Sequence, residues 1–277
     1  MTQSIEHQMT EIYCFIDDYL KAHPCQARWR RSPNSAPRFA DSEVITIALL
    51  QGSFQVPSLK QAYRLVRANF RTAFPRLPSY AEWLRRLHQL TVHVGLLLEA
   101  TCAIEAGSTF YLVDSKPIPL CHQLRHGRVR LLREDGARFG KSSKGWFFGF
   151  KLHALRHITG RFLNIVLLPA SVDDREPLLA LAEGGDGGIV LGDMGYRGRP
   201  PAQLLAEEAE LLLITRKDAP LRKKLLSQVR QAIETSFSQL WHHFIDRVFS
   251  RSWNGLWNTV KLKVLFYNIR HAGVVSV

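Results

Sequence analysis

The run Phe110-Tyr111-Leu112-Val113 ends on Asp114 and is followed by Ser-Lys-Pro, and this stretch restricts the possible folds more than any other in the chain. Aromatic and β-branched residues suit a pleated, half-buried surface, so the run reads as a short buried strand. Proline has no N–H to give to a ladder. Pro117 and Pro119 therefore end the expected strand at Asp114, whose carboxylate is left on a rigid edge facing solvent. The segment that follows is basic and punctuated by glycine. Between Lys116 and Arg161 stand eleven Lys/Arg against Glu134 and Asp135, a local excess of nine within a formal net charge of +13. One acid is thus set in a field suited to an anion.

From Ser108 onward, short apolar runs alternate with helical periodicity. The pattern predicts strands at Phe110–Asp114, Trp146–Leu155, Phe162–Pro169, Ile189–Asp193 and Leu211–Thr215. It predicts helices over Asp174–Glu183, Pro201–Glu208 and about Lys223–Ile245, the first capped by Asp173 or Asp174 because Glu176-Pro177 sit at helix-start positions. Thr159-Gly160 makes a tight turn between the second and third strands, so the first three form a meander. The last two strands are separated by a helix and should be parallel, since that connection is a crossover. The expected class is α/β, a mixed five-stranded sheet flanked by helices.

Residues 1–105 read as a separate all-helical region, and 106–277 as the sheet-bearing domain. Ile5, Met9, Ile12, Ile16 and Leu20 keep helical spacing up to Pro24. The loop Ala27–Phe39 carries Arg28, Arg30, Arg31 and Arg38, and reads equally as a solvated connection or a phosphate-contacting loop. Asp41 or Ser42 can cap a helix with Val44, Ile45, Ala48 and Leu49 on its core face and Gly52 at its end. Ser58 caps a second helix, Leu59–Phe70, with Lys60, Arg64, Arg67 and Arg71 on or near one side. The pair, at about 41–70, has the size and turn of a helix-turn-helix, as would any helical hairpin with a basic face. One long helix over Tyr80–Ala103, with Trp83, Leu87, Leu90, Val94 and Leu97 inward, reads as structural. The tail, Arg251–Arg270, reads as a final helix packed on the sheet.

Hydrophobic residues at 46% and charged residues at 22% describe a globular chain able to bury a core. A pI near 9.9 makes a polyanion the expected partner, because Lys/Arg on phosphates release condensed counterions. No apolar run approaches the ~20 residues of a membrane span, and the N-terminus lacks the features of a signal peptide, so no membrane partner and a cytoplasmic location are expected. Cys14, Cys25, Cys102 and Cys121 have no close CxxC spacing, and His122, His126, His153 and His157 fit no compact zinc motif.

Three carboxylates stand out. Asp114 ends the first strand, Asp193 ends the fourth in Gly192-Asp193-Met-Gly-Tyr-Arg-Gly, and Glu234 borders the apolar face Val229, Ile233, Phe237, Leu240 and Phe244 of a helix. Each has a plainer reading: the aspartates as turn caps, Glu234 as the partner of Arg230 one turn earlier. Asp173 or Asp174 is a competitor for the second position. Gathered together, the three acids would suit Mg²⁺ or Mn²⁺, which take oxygen ligands, keep waters and accept substrate phosphates.

The segments Tyr-Leu-Val-Asp114-Ser-Lys-Pro, Phe139-Gly-Lys-Ser-Ser-Lys-Gly-Trp-Phe-Phe-Gly-Phe-Lys-Leu-His153, Gly192-Asp193-Met-Gly-Tyr-Arg-Gly and Arg230-xxx-Glu234-xx-Phe237 resemble the DDE transposases of bacterial insertion sequences, most closely the insertion-sequence-982 family. The likeness covers nearly all of 105–277 and, more weakly, the helical N-terminal region. It implies an RNase H-like catalytic domain behind an all-α DNA-binding region, with Asp114, Asp193 and Glu234 as the catalytic, metal-binding triad for Mg²⁺, with Mn²⁺ as substitute. It also implies a homodimer acting on inverted-repeat ends and target DNA, associated with the nucleoid when bound. Ser227 and Trp241 stand where related transposases often carry Tyr and Lys. The expected DNA contacts are Lys116, Arg125, Arg128, Lys141, Lys144, Lys151, Arg197 and Arg230, with Lys60, Arg64 and Arg67 in the helical region. An RNase H-like nuclease on branched or hybrid substrates and a catalytically silent DNA-binding repressor are the alternatives.

Overall fold

The first helix, α1 (Ile5–Ala22), is capped by Ser4 and buries Met9, Ile12, Ile16 and Leu20 along one stripe. The structure is a computed structural model that describes residues 4–23, 37–103, 109–125, 127–142, 145–183, 187–215, 223–240 and 250–275. The basic loop residues Arg28, Arg30 and Arg31, together with His126, Lys144 and Trp241, lie outside the described residues. The chain divides into two units, residues 1–101 with 254–277, and residues 102–253.

In the first unit, α2 (Asp41–Ser53) is buried over nearly its whole length. Its N-cap is Ala40, not Asp41 or Ser42. Ala40 N–H donates to Glu43 at 2.5 Å, Asp41 takes Arg86 at 2.8 Å, and Ser42 donates to Asp17 at 3.0 Å. Tertiary partners thus claim both side chains that the sequence offered as caps. Ser58 does cap α3 (Leu59–Asn69), accepting the Gln61 N–H at 3.3 Å. The expected long helix is two, α4 (Tyr80–Gln89) and α5 (Thr91–Ala103), because Leu90 leaves helical geometry at φ −88°, ψ 11°.

The tail helix α9 (Trp253–His271) corrects another expectation. From Asn254 onward it belongs to the helical unit, not to the sheet. A Cβ on Gly52 would stand 2.2 Å from the Phe266 ring, so α2 and α9 approach as closely as a missing side chain permits. Asn268 donates to Thr101 at 3.2 Å, and Lys261 turns its ammonium inward to the Thr91 carbonyl at 2.8 Å. Burial lowers the Lys261 pKa, as expected of a cation drawn from water. A helix buried on most sides shows no single apolar stripe, which is why the sequence did not reveal its partner.

Among the described residues the second unit carries six strands: β1 (Phe110–Pro119), β2 (Arg138–Ser142), β3 (Gly145–His157), β4 (Phe162–Pro169), β5 (Gly188–Gly192) and β6 (Leu211–Thr215). Their order is β2-β3-β1-β5-β6, with β4 also on β3. β2 pairs with Gly145–Gly149 and β4 with Phe150–Arg156, so the two share the edge of β3 that β1 leaves open. The expected antiparallel meander and parallel β5–β6 pair are present, with β2 as the addition that makes five strands six. Glycine and charge hid β2, since Arg-Phe-Gly-Lys-Ser has no apolar alternation.

β1 does not stop at Asp114. Its pairing with β5 covers only Phe110–Leu112, while its pairing with β3 runs on to Pro119. Leu120 N–H donates to Phe148 at 3.0 Å, so even-numbered residues face β3 and the odd-numbered Pro117 and Pro119 face the other edge, where among the described residues the β5 pairing has already ended. Proline costs no ladder bond there. Tyr111, Val113, Leu155, Val190 and Leu213 form one face, covered by α6 (Leu178–Ala182) and α7 (Arg199–Ala209) with Tyr196 between them. The opposite face carries Phe162, which meets Phe237 of α8 (Lys223–Leu240) at 5.6 Å between ring centroids. α6 is shorter than expected. Pro177, not Asp173 or Asp174, is its N-cap, because both aspartates are engaged elsewhere.

Candidate active site

Leu112 pairs with Leu191 at the end of the parallel β1–β5 ladder, and Asp114 and Asp193 each follow two residues later, Asp114 within β1 and Asp193 just past the end of β5. Paired strands lie about 4.8 Å apart, so both acids stand at the end of the sheet where that ladder stops. Asp114 accepts the Ser115 N–H at 2.8 Å. Asp193 caps the short turn Met194–Tyr196, accepting the Met194 N–H at 2.6 Å. Each acid is held by its own backbone at half-buried positions.

Glu234 is placed differently. Phe162 pairs with Arg156, Arg156 with Leu112, and directly paired residues share a face, so α8 lies over the face that carries Leu112 and Asp114. α8 packs across β1 and β5. It buries Ile233, Phe237 and Leu240, yet Glu234 itself is exposed, where the apolar flanks predicted a half-sheltered acid. Among the described residues, no three His, Cys, Asp or Glu side chains are gathered closely enough to hold a metal ion. The donor chemistry nevertheless fits a hard divalent cation. Two carboxylates follow the end of one parallel ladder, and an ion such as Mg²⁺ is commonly held by one or two carboxylates with its other positions left to water and phosphate oxygens.

Tyr196 was missed as a site residue, although it stands in the quoted Asp-Met-Gly-Tyr motif. It is 2% exposed, with its hydroxyl buried beside Ser115. Burial first, then the charges of Asp114, Asp174 and Asp193, hold its pKa well above the usual phenol value, with Ser115 pulling slightly the other way. One phenol therefore senses three carboxylates. The third, Asp174, accepts Lys151 Nζ at 2.8 Å and lies 3.9 Å from the fully buried His153. Burial, helped by Lys151 and opposed by Asp174, takes the His153 pKa down to about 4. Asp173, its sequence neighbour, forms a two-bonded pair with Arg175 that lowers the Asp173 pKa to about 2.

The expected DNA contacts are distributed unevenly. Lys60, Arg64 and Arg67 are exposed on α3, and Arg125, Arg128, Lys141 and Arg197 are exposed in the sheet unit. Lys116 is half-buried on the Asp114 face of β1. Arg230 lies in α8, with its side chain outside the described residues. Lys151 is turned inward, giving its ammonium to the Val172 carbonyl at 3.0 Å and to Asp174.

A family model described as a transposase DDE domain matches residues 105–245, just over half of the 277 residues and all six strands. Neither the curated proteins nor the solved structures yield a match. A domain of this kind implies an enzyme of the polynucleotidyl-transferase type with DNA as its partner, and DDE transposases generally use divalent metals. With Asp114 and Asp193 inside the matched span, the chain belongs to the transposases that carry a DDE domain.

Proposed function

We propose that this transposase belongs to an insertion sequence of the 982 type, binds the terminal inverted repeats, and carries out metal-dependent cleavage followed by strand transfer. The observation that supports this most is that Asp114 and Asp193 each follow, by two residues, the last pair of the parallel β1–β5 ladder, Leu112–Leu191. The order β4-β3-β1-β5-β6, three antiparallel strands followed by two parallel to the first, favours an RNase H-like catalytic domain. Asp114, Asp193 and Glu234 would hold Mg²⁺, or Mn²⁺ in its place. Such ions, when bound, polarise the scissile phosphate and activate the attacking oxygen for in-line displacement.

The chain's own residues do the rest. Asp114 presents its oxygens from the β1–β3 ladder and Asp193 from the turn after β5, and Glu234 would join them from α8. Lys141, Arg125, Arg128 and Arg197 supply cations for backbone phosphates, which position a duplex without reading it. The exposed Lys60, Arg64 and Arg67 on α3 suit the helical unit to reading the ends. Because two ends must meet, the acting form is a homodimer on DNA in the cytoplasm. Among the described residues, no helix is long and apolar enough to cross a membrane.

Labelled element-end DNA incubated with Mg²⁺ tests the reading. Wild-type protein should both nick and join it, and Asp114→Asn should lose about 10³-fold, since metal stabilisation amounts to several kcal/mol and each ~1.4 kcal/mol is tenfold. Ends released but never joined would mark a nuclease instead. Full activity in Asp114→Asn would leave a DNA-binding repressor with an unrelated contaminant.

A further inference from the structure

We propose that the Lys151–Asp174 ion pair positions the acid pair, fixing the turn that carries Asp193 against the strand that flanks Asp114; this rests on the metal-dependent reading above. Lys151 is a cation in a strongly basic protein, yet its side chain is only 13% exposed and points into the fold. Lys151 stands on β3 opposite Pro117, and His153 opposite Ser115, the residue after Asp114. Lys151 reaches the loop after β4 at two points, the Val172 carbonyl and Asp174 Oδ1. The other Asp174 oxygen faces the turn beyond Asp193. It is the one atom outside the immediate neighbours that a Cβ on Gly195 would meet within 4 Å, at 3.9 Å.

Asp174 therefore lies between β3, which it meets through Lys151, and the turn beyond Asp193, which it faces at Gly195. On one side is β3, hydrogen-bonded to the Asp114 segment of β1. On the other is the Met194–Tyr196 turn, which begins at Asp193. β5 ends at Gly192, and Tyr196, buried in the core, anchors the far end of the turn that follows. A charge pair with one partner anchored in β3 braces its middle, where the glycine at 195 leaves room for the carboxylate. Removing either partner leaves the other charge half-buried and uncompensated, and the turn loses its brace.

The experiment uses the full-length protein and Mn²⁺ alone as probe, with uptake followed by the loss of the free-ion paramagnetic resonance signal. Outer-shell partners of a metal site typically govern 10–100-fold in affinity. Asp174→Asn and Lys151→Met should each raise the half-saturating Mn²⁺ concentration by about that factor, and Lys151→Arg should stay near wild type because it keeps the charge. The affinity for element-end DNA without metal should not change in any of them. Unchanged Mn²⁺ uptake in Lys151→Met overturns the proposal, as does a Lys151→Met protein whose only defect is weaker, less salt-dependent DNA binding. If Asp174→Asn does not fold, the contrast between Met and Arg at 151 decides alone, equal values being fatal. A wild-type protein that takes up no Mn²⁺ sinks the metal reading and this proposal together, whereas wild-type uptake with unaltered variants sinks only this proposal.

Discussion

Arg86–Asp41 in the helical unit and Lys151–Asp174 in the sheet unit are ion pairs of the same length, 2.8 Å, and differ in almost everything else. The first is 8% and 11% exposed and joins α4 to the start of α2. The second is 13% and 30% exposed and joins a strand to a loop beside Asp193. Next to it, Asp173–Arg175 is an ion pair at 2.7 Å with both partners near half exposed. Distance alone thus says little about what an ion pair does. Burial sets the cost of breaking it, and the identity of its neighbours sets what else moves when it breaks.

The comparison can be broken in four places. Asp41→Asn strands the Arg86 guanidinium in the helical core and should cost roughly 3–5 kcal/mol in chemical denaturation, without altering Mn²⁺ uptake. A small loss there would mean that burial does not grade these pairs. His153 comes next. Its folded pKa of about 4 lies below the ordinary 6.5, so as pH falls the unfolded chain takes up its proton first. Stability should therefore decline between about pH 6.5 and pH 4, by at most about 3 kcal/mol, and His153→Gln should flatten that window. A wild-type profile that is already flat there would show that His153 is better solvated than its burial implies.

Lys151→Met should cost less, about 1–2 kcal/mol by thermal or chemical unfolding, because Asp174 keeps partial contact with water. A loss as large as that of Asp41→Asn would erase the distinction between scaffold and brace. Asp173→Asn should leave the unfolding midpoint and the Mn²⁺ affinity where they are. Its pairing with Arg175 holds the Asp173 carboxyl down to about 2, so the contribution is present above about pH 4, fades as pH falls towards 2, and is screened by salt. A Mn²⁺ defect in Asp173→Asn matching that of Asp174→Asn would show that charge near the site, not the Lys151 contact, is what matters.

Several elements were legible in the chain because their cause is local. Phe162–Pro169 and Leu211–Thr215 begin and end where alternation and turn residues place them, and Ser58 caps its helix as its type suggests. β2 was not, since its strand character comes from the partner Gly145–Gly149 and not from its own Arg-Phe-Gly-Lys-Ser. Leu90 breaks α4 from α5 without any glycine or proline to announce it. Asp41, Ser42, Asp173 and Asp174 were all offered as helix caps, and all four were taken by partners distant in sequence or by a competing local cation.

The site divides along the same line. That Asp114 and Asp193 follow apolar runs, that β5 and β6 are parallel, and that the surrounding segment is basic all follow from residue types and their spacing, because strand propensity, crossover connection and charge are properties of short stretches. That β1 runs on past Asp114, that Tyr196 is buried, that Lys151 faces inward and that Glu234 is exposed on α8 were decided by tertiary structure alone. Hydrogen-bond ladders and side-chain packing set those relations, and both act between residues that the sequence holds far apart.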